Sequence, residues 1–371
     1  MRHSKLWAAA VACLCFLLAA CDPMTQRVTS TITNPIPLKF GDPFLLHASD
    51  GRYYMYGTSL ADGFEAYVSD NLVDWEPCGQ VYKGGSETQW NEDCFWAPEV
   101  YERDGRYYMF YSANYRVNPG QEAENFKIGV AVSDSPAGPF EDLMNRPVFN
   151  PPYPVIDANV LFTDDNRCYL YFSRCCYKHP VESEVADSLR AIGSFAAIEE
   201  SWVYGVELKP DFSGVIGEPV LLLAPPTSLS DAQSEWESRS ATHGEVGRRW
   251  TEGSYIFRHD GTYYIMYSAN SYMGKFYAVG YATSDNPLGP FTKAPNNPVL
   301  QENVSRGGTV MGTGHNMVLT MPDGQRYCVY HGRMTDNPAE RVVLMDRLSI
   351  SDDGLLTVDG PTTEPQDVCV K

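Results

Sequence analysis

The chain has 371 residues, with 47 acidic against 28 basic side chains and a formal net charge of −19. Such an acidic balance argues against a nucleic-acid partner, because phosphate binding needs a basic face. It disfavours polyanionic substrates for the same reason and leaves neutral polymers open.

In chain order, Arg2, His3 and Lys5 precede an apolar run over residues 6–18, followed by Leu18-Ala19-Ala20-Cys21. The run is shorter than the roughly twenty apolar residues of a membrane span and reads as a signal peptide over 1–20. Its ending resembles the lipobox of bacterial lipoproteins, which implies cleavage before Cys21, a lipid on its sulfur, and an exported, membrane-anchored protein. Residues 21–33 are polar and read as a tether. Of ten cysteines, the seven beyond Cys21 are an odd number without metal-type spacing. They are expected to be mostly small core residues with one or two disulfides, not a zinc site.

Five segments then repeat: "DGRYYMYGTS" from 50, "DGRYYMFYSA" from 104, "DNRCYLYFSR" from 165, "DGTYYIMYSA" from 260 and "DGQRYCVYHG" from 323. Asp-Gly and Asp-Asn tolerate positive φ and mark hairpin turns, and the apolar residues after them read as strands. A second signature follows three of them, "VSDNLVDWE" from 68, "VSDSPAGPFE" from 132 and "TSDNPLGPF" from 283, as outer strands of the same unit. Repeats of about four short strands predict an all-β, five-bladed β-propeller over 34–359, followed by a short polar tail over 360–371. The excess length lies between the third and fourth hairpins, at 175–250. Its stretches "VESEVADSLRAIGSFAAIEESW" and "LSDAQSEWESRSATHGEVGRR" have helical character. They predict a partly helical insertion that walls a binding site.

Counting nine residues back from the hairpin Gly or Asn gives Asp42, Asp157, Glu252 and His315; in the second repeat, one residue shorter, eight back gives Ala97. These five positions are expected to match structurally and to begin the innermost strands, which converge on one axis. Acids gathered there would repel and be partly desolvated, and stability alone gives no reason to gather them.

"GDPF", "WAPEV", "IDANV", "TEGSY" and "GTGHN", in that order, resemble glycoside hydrolase family 43, the five-bladed propellers that cleave arabinose and xylose linkages. The resemblance covers residues 34–359. It implies Asp42 as general base, Asp157 as pKa modulator and orienting group, and Glu252 as general acid of an inverting hydrolysis. Such a reaction needs carboxyls about 6.5 to 9.5 Å apart to admit a water. The resemblance further implies that His315 faces a calcium ion in the tunnel through water, or else hydrogen-bonds substrate or a catalytic acid. No cofactor is required. Arg333, in "YHGR", resembles the family arginine that binds sugar hydroxyls. Trp96, beside the blade-two position, is expected to stack on a sugar, while Trp90 and Trp202 fit the core better than the rim.

The expected activity is release of L-arabinofuranose from a neutral plant cell-wall polysaccharide such as arabinan or arabinoxylan. β-Xylosidase and endo-arabinanase activity are the alternatives within the family. A non-catalytic carbohydrate-binding lipoprotein is the alternative outside it, disfavoured by the three acids together, since fold alone does not make an enzyme.

Overall fold

The computed structural model describes residues 28–193 and 195–371. Residues 1–27, which carry the expected signal peptide and Cys21, lie outside this range. Among the described residues no helix is long and apolar enough to cross a membrane.

Five antiparallel sheets follow one another along the chain as the blades of a propeller. Blade one comprises Gly41–His47, Tyr53–Thr58, Gly63–Ser69 and Glu76–Lys83. Each later blade repeats that order, its innermost strand being Trp96–Arg103, Val155–Phe162, Glu252–His259 or Asn316–Thr320. Inner strands read as continuous apolar runs because both faces pack on neighbouring blades. Second strands such as Tyr53–Thr58 and Cys168–Arg174 are buried almost throughout. The repeated tyrosines cross between blades, as where the Tyr56 hydroxyl donates to the Pro136 carbonyl at 2.6 Å and the Tyr171 hydroxyl to Pro287 at 2.8 Å.

Three expectations change. The end of the supposed tether is a strand, Thr29–Ile32, paired antiparallel with Gln366–Cys369 from the supposed tail. Val368 and Val370 are buried against blade one, which explains why these residues do not trail into solvent. The 175–250 segment is only partly an insertion: Glu199–Leu208 and Val215–Leu223 are the outer strands of blade three. The true additions flank them. Residues before Glu199 form the helix Glu184–Gly193, whose Val185, Ala186 and Leu189 are buried; those after Leu223 hold a 3-10 turn at Trp236–Ser238, a one-turn α-helix at Arg239–Thr242 and the strand Arg248–Trp250, which pairs parallel with Glu199–Leu208. The second addition is fixed by buried charges instead of an apolar helical face. Arg249 donates to Glu200 at 2.7 Å, and Lys293 to Glu237 at 2.7 Å. Lastly, the seven described cysteines are all free thiols, so no disulfide staples the blades.

Candidate active site

Each of the first four innermost strands carries an extra residue, seen as a register break between Gly41 and Phe44, Trp96 and Glu99, Ile156 and Asn159, and Glu252 and Tyr255. Asp42, Ala97, Asp157 and Gly253 sit in these bulges with φ of 54°, 46°, 59° and 56°. Left-handed backbone costs an L-residue roughly 1–2 kcal/mol, and a bulge re-aims side chains that would otherwise alternate. Both Ile156 and Asp157 therefore line one cavity although they are adjacent in sequence.

The bulges correct the residue count. Blades two and four turn on two residues, Asp104-Gly105 and Asp260-Gly261, between the pairs Arg103↔Arg106 and His259↔Thr262. Blades one, three and five use five-residue turns, between His47↔Tyr53, Phe162↔Cys168 and Thr320↔Arg326. The blade-four counterpart of Asp42 and Asp157 is thus Gly253, and Glu252 precedes it, in the position of Trp96 and Ile156. Glycine is needed there: a Cβ on Gly253 would lie 2.8 Å from His315 Nδ1.

A girdle of hydrogen bonds holds the bulges. The amide of Ala97 donates to Thr58 Oγ1 of blade one at 2.9 Å, that of Asp157 to Ser112 Oγ of blade two at 3.0 Å, and that of Gly253 to Ser173 Oγ of blade three at 3.1 Å. The ring passes from blade five to blade one through His331, whose Nδ1 accepts the Asp42 amide at 3.1 Å. Sequence reasoning missed these residues, although all stand seven positions after a hairpin Gly or Asn in the aligned repeats.

The structure brings Asp42, Asp157, Glu252, Trp96 and His315 together around a cavity of about 600 Å³. The environments of the acids differ. Asp42 accepts from Thr58 Oγ1 at 2.6 Å and from Arg341 Nη1 at 3.2 and 3.3 Å. Burial works against its ionisation, but the Arg341 guanidinium and the Thr58 hydroxyl override this and hold the carboxyl well below the usual range. A Cβ on Gly41 would fall 1.9 Å from Arg341 Cζ, so glycine opens the path for that guanidinium.

Glu252 has no cation beside it. Burial, and then the Asp157 charge, push its carboxyl well above the usual value, against the opposing hydrogen bond from Tyr277 at 3.0 Å. Asp157 is also raised, by burial first, while Ser173 Oγ at 3.1 Å and the Gly253 amide at 3.2 Å hold its charge.

His315 Nδ1 lies 4.0 Å from Asp42 Oδ1. Among the described residues no three His, Cys, Asp or Glu side chains are placed to hold a metal ion. A calcium ion at His315 would rest on one imidazole and water, a poor match to a cation that takes about six to eight oxygens. Arg333 lies away from the cavity. Its guanidinium is spent on the carbonyls of Pro338 and Ala339, both at 3.0 Å, and of Tyr272, and the arginine beside Asp42 is Arg341. Trp96 packs on Phe126 with ring centroids 4.4 Å apart. Trp90 is buried beside Tyr111 and Tyr115, and Trp202 stands edge-on to His179. Trp250, not singled out from sequence, joins the cavity wall with Cys175, Cys176 and Arg248.

The pattern described as Glycosyl hydrolases family 43 matches residues 32–356. The chain belongs to glycoside hydrolase family 43. It is 27% identical over 344 residues to the β-D-galactofuranosidase xynD of Aspergillus niger, covering 86% of this chain and 83% of that one. A xylosidase/arabinosidase of Bacteroides ovatus is 27% identical over 272 residues, 67% of this chain and 74% of its own. Among solved structures, a thermostable family-43 glycoside hydrolase superposes with a TM-score of 0.76 at 35% identity, over 90% of this chain and 97% of the other. The family makes this protein an O-glycosyl hydrolase on a five-bladed propeller.

Proposed function

We propose that this family 43 enzyme is an inverting, exo-acting α-L-arabinofuranosidase working on a neutral cell-wall polysaccharide. The observation that carries the acid–base assignment is the divergence of two buried carboxyls: Asp42 is held ionised by Arg341, while Glu252 is kept protonated by burial and Asp157. Asp42 takes a proton from the attacking water, and Glu252 gives its proton to the leaving oxygen. Asp157 keeps Glu252 protonated until that transfer, and Trp96 offers a ring to the sugar's apolar face. No step needs a metal ion at His315.

Exo action is supported by the wall on one side of the cavity, where the loop at Gly274 meets Glu245 of the second addition. A furanoside substrate is supported by the Aspergillus relative, since β-D-galactofuranose and α-L-arabinofuranose share their ring configuration. The test offers aryl α-L-arabinofuranoside, β-D-galactofuranoside and β-D-xylopyranoside side by side, with Glu252→Gln as control. Arabinoside turnover lost in the variant, with the inverted sugar as first product by NMR, supports the proposal. Preference for the xyloside or the galactofuranoside overturns the sugar assignment, and silence on all three, and on arabinan, returns the carbohydrate-binding reading.

We also propose export and lipid anchoring at Cys21, on the signal-like residues 1–21. Labelled palmitate incorporation that disappears in Cys21→Ser supports this; incorporation that persists, or that never occurs, overturns it.

A further inference from the structure

The second and third strands of blade four, Thr262–Ala269 and Ala278–Ser284, are joined by a loop that stands over the catalytic cavity. At its tip Tyr272 is 45% and Met273 72% exposed, and both line the cavity mouth. Two large apolar side chains left in water beside an active site call for an occupant.

The loop is built to hold them there. At its base, Asn270 accepts the Ser240 amide at 2.9 Å and donates to the Trp236 carbonyl at 2.7 Å, fastening it to the second addition. On its other flank, buried Arg333 donates to the Tyr272 carbonyl through Nε at 3.4 Å and Nη2 at 3.3 Å, and to blade five through Nη1. The Arg341 guanidinium lies 5.4 Å from the Tyr272 ring centroid. The guanidinium that the family resemblance assigns to sugar hydroxyls is instead a brace for this loop.

The loop also fixes a direction. It ends at Tyr277, whose hydroxyl donates to Glu252 at 3.0 Å. On the reading that Glu252 protonates the leaving oxygen, the departing group lies on the Glu252 side of the cavity, where this loop forms the rim. Of the cations lining the cavity, Arg248 is already engaged by Glu199 at 3.0 Å and lies over the Tyr177 ring, and Arg341 is paired with Asp42, so neither is left unpaired for an acidic group. Aromatic and thioether side chains suit the flat C–H face of a neutral sugar.

We propose that Tyr272 and Met273 form the binding platform for the leaving sugar, a neutral ring stacked on Tyr272, so that the enzyme selects saccharide leaving groups over small ones. This rests on the glycosidase reading above.

The experiment compares α-1,5-arabinobiose, which has a sugar leaving group, with methyl α-L-arabinofuranoside, which has none, in wild type and in Tyr272→Ala/Met273→Ala. Both side chains are exposed, so the double variant keeps its fold. We expect kcat/KM on the disaccharide to fall about tenfold, mainly through KM, with the methyl glycoside within about twofold of wild type. An equal loss on both substrates, or none on either, overturns the platform. Should wild type cleave neither substrate, the arabinoside assignment has failed separately. Titration of Trp fluorescence with arabinobiose and xylobiose then decides, because the platform requires weaker binding by the double variant, and unchanged or undetectable binding overturns it.

Discussion

Asp157 touches nothing that neutralises it. Its Oδ2 accepts from a serine hydroxyl and a backbone amide, and its charge bears on the neighbouring Glu252. The sign of its effect follows. Glu252 is active as an acid only while protonated, and the Asp157 charge adds to burial in keeping it so. Asp157→Asn therefore lowers the Glu252 pKa and moves the basic limb of kcat/KM to lower pH. The accompanying loss of kcat is on the order of a hundredfold; a pH profile of the variant checks both, and an unmoved basic limb would refute the coupling. At this scale the gathering of the three acids at one cavity was legible from their order, although the spacing count set Glu252 one position out of register with Asp42 and Asp157. Arg341 was not, because Arg333 and Arg341 lie on adjoining strands joined at the pair Met334↔Asn337, and residue type alone cannot say which side chain reaches Asp42. The cavity cysteines were legible as core residues, and burial pushes the Cys176 thiol up to about 12, so it stays an inert part of the wall.

The bulged strand is the element on which the site depends. In blades two to four the amide of its left-handed residue is held by one hydroxyl from the preceding blade, and that of Asp157 is buried. Ser112→Ala leaves the Asp157 amide without its partner and is expected to destabilise the fold by about 1–3 kcal/mol. Ser112→Thr keeps a hydroxyl there and should recover most of that loss. Urea unfolding of both variants is the check, and equal midpoints for wild type and alanine would remove the girdle from the account. Strand order and hairpin positions were readable because Asp-Gly and apolar runs are local signals. The register of blade four was not. Two-residue and five-residue turns shift the bulge by one position relative to the glycine, and the shift shows only once pairing partners are known. The 229–249 stretch was misread for a related reason: its charged residues have a helical look, but Arg249 and Glu237 are buried in ion pairs with blades three and four, and Arg239–Thr242 is its only α-helical segment.

Across the whole molecule, a buried carboxyl ties two blades together. Glu99 accepts from Asn159 at 2.9 Å and from the Tyr101 hydroxyl, joining blades two and three. Burial pushes its carboxyl up to about 8. A carboxyl raised on folding contributes stability that is complete below its unfolded pKa near 4.5 and is lost as pH rises towards 8. Glu99→Gln, which keeps the shape without the titration, should narrow the fall in Tm between pH 5 and pH 8; an identical fall in both proteins would place the proton elsewhere. Ring closure follows a different logic. The pairing of Thr29–Ile32 with Gln366–Cys369 unites segments 336 positions apart at Thr31 and Asp367, where Thr31 Oγ1 donates to Asp367 at 2.7 Å. A ribosome delivers the first of these strands long before the last. Until that last strand emerges, the Tyr53 hydroxyl lacks the Val370 carbonyl it meets at 2.9 Å in the finished ring, and blade one waits with an open flank. A nascent chain of this protein is therefore a clasp with one half missing, and it can lock only after its last strand has been made.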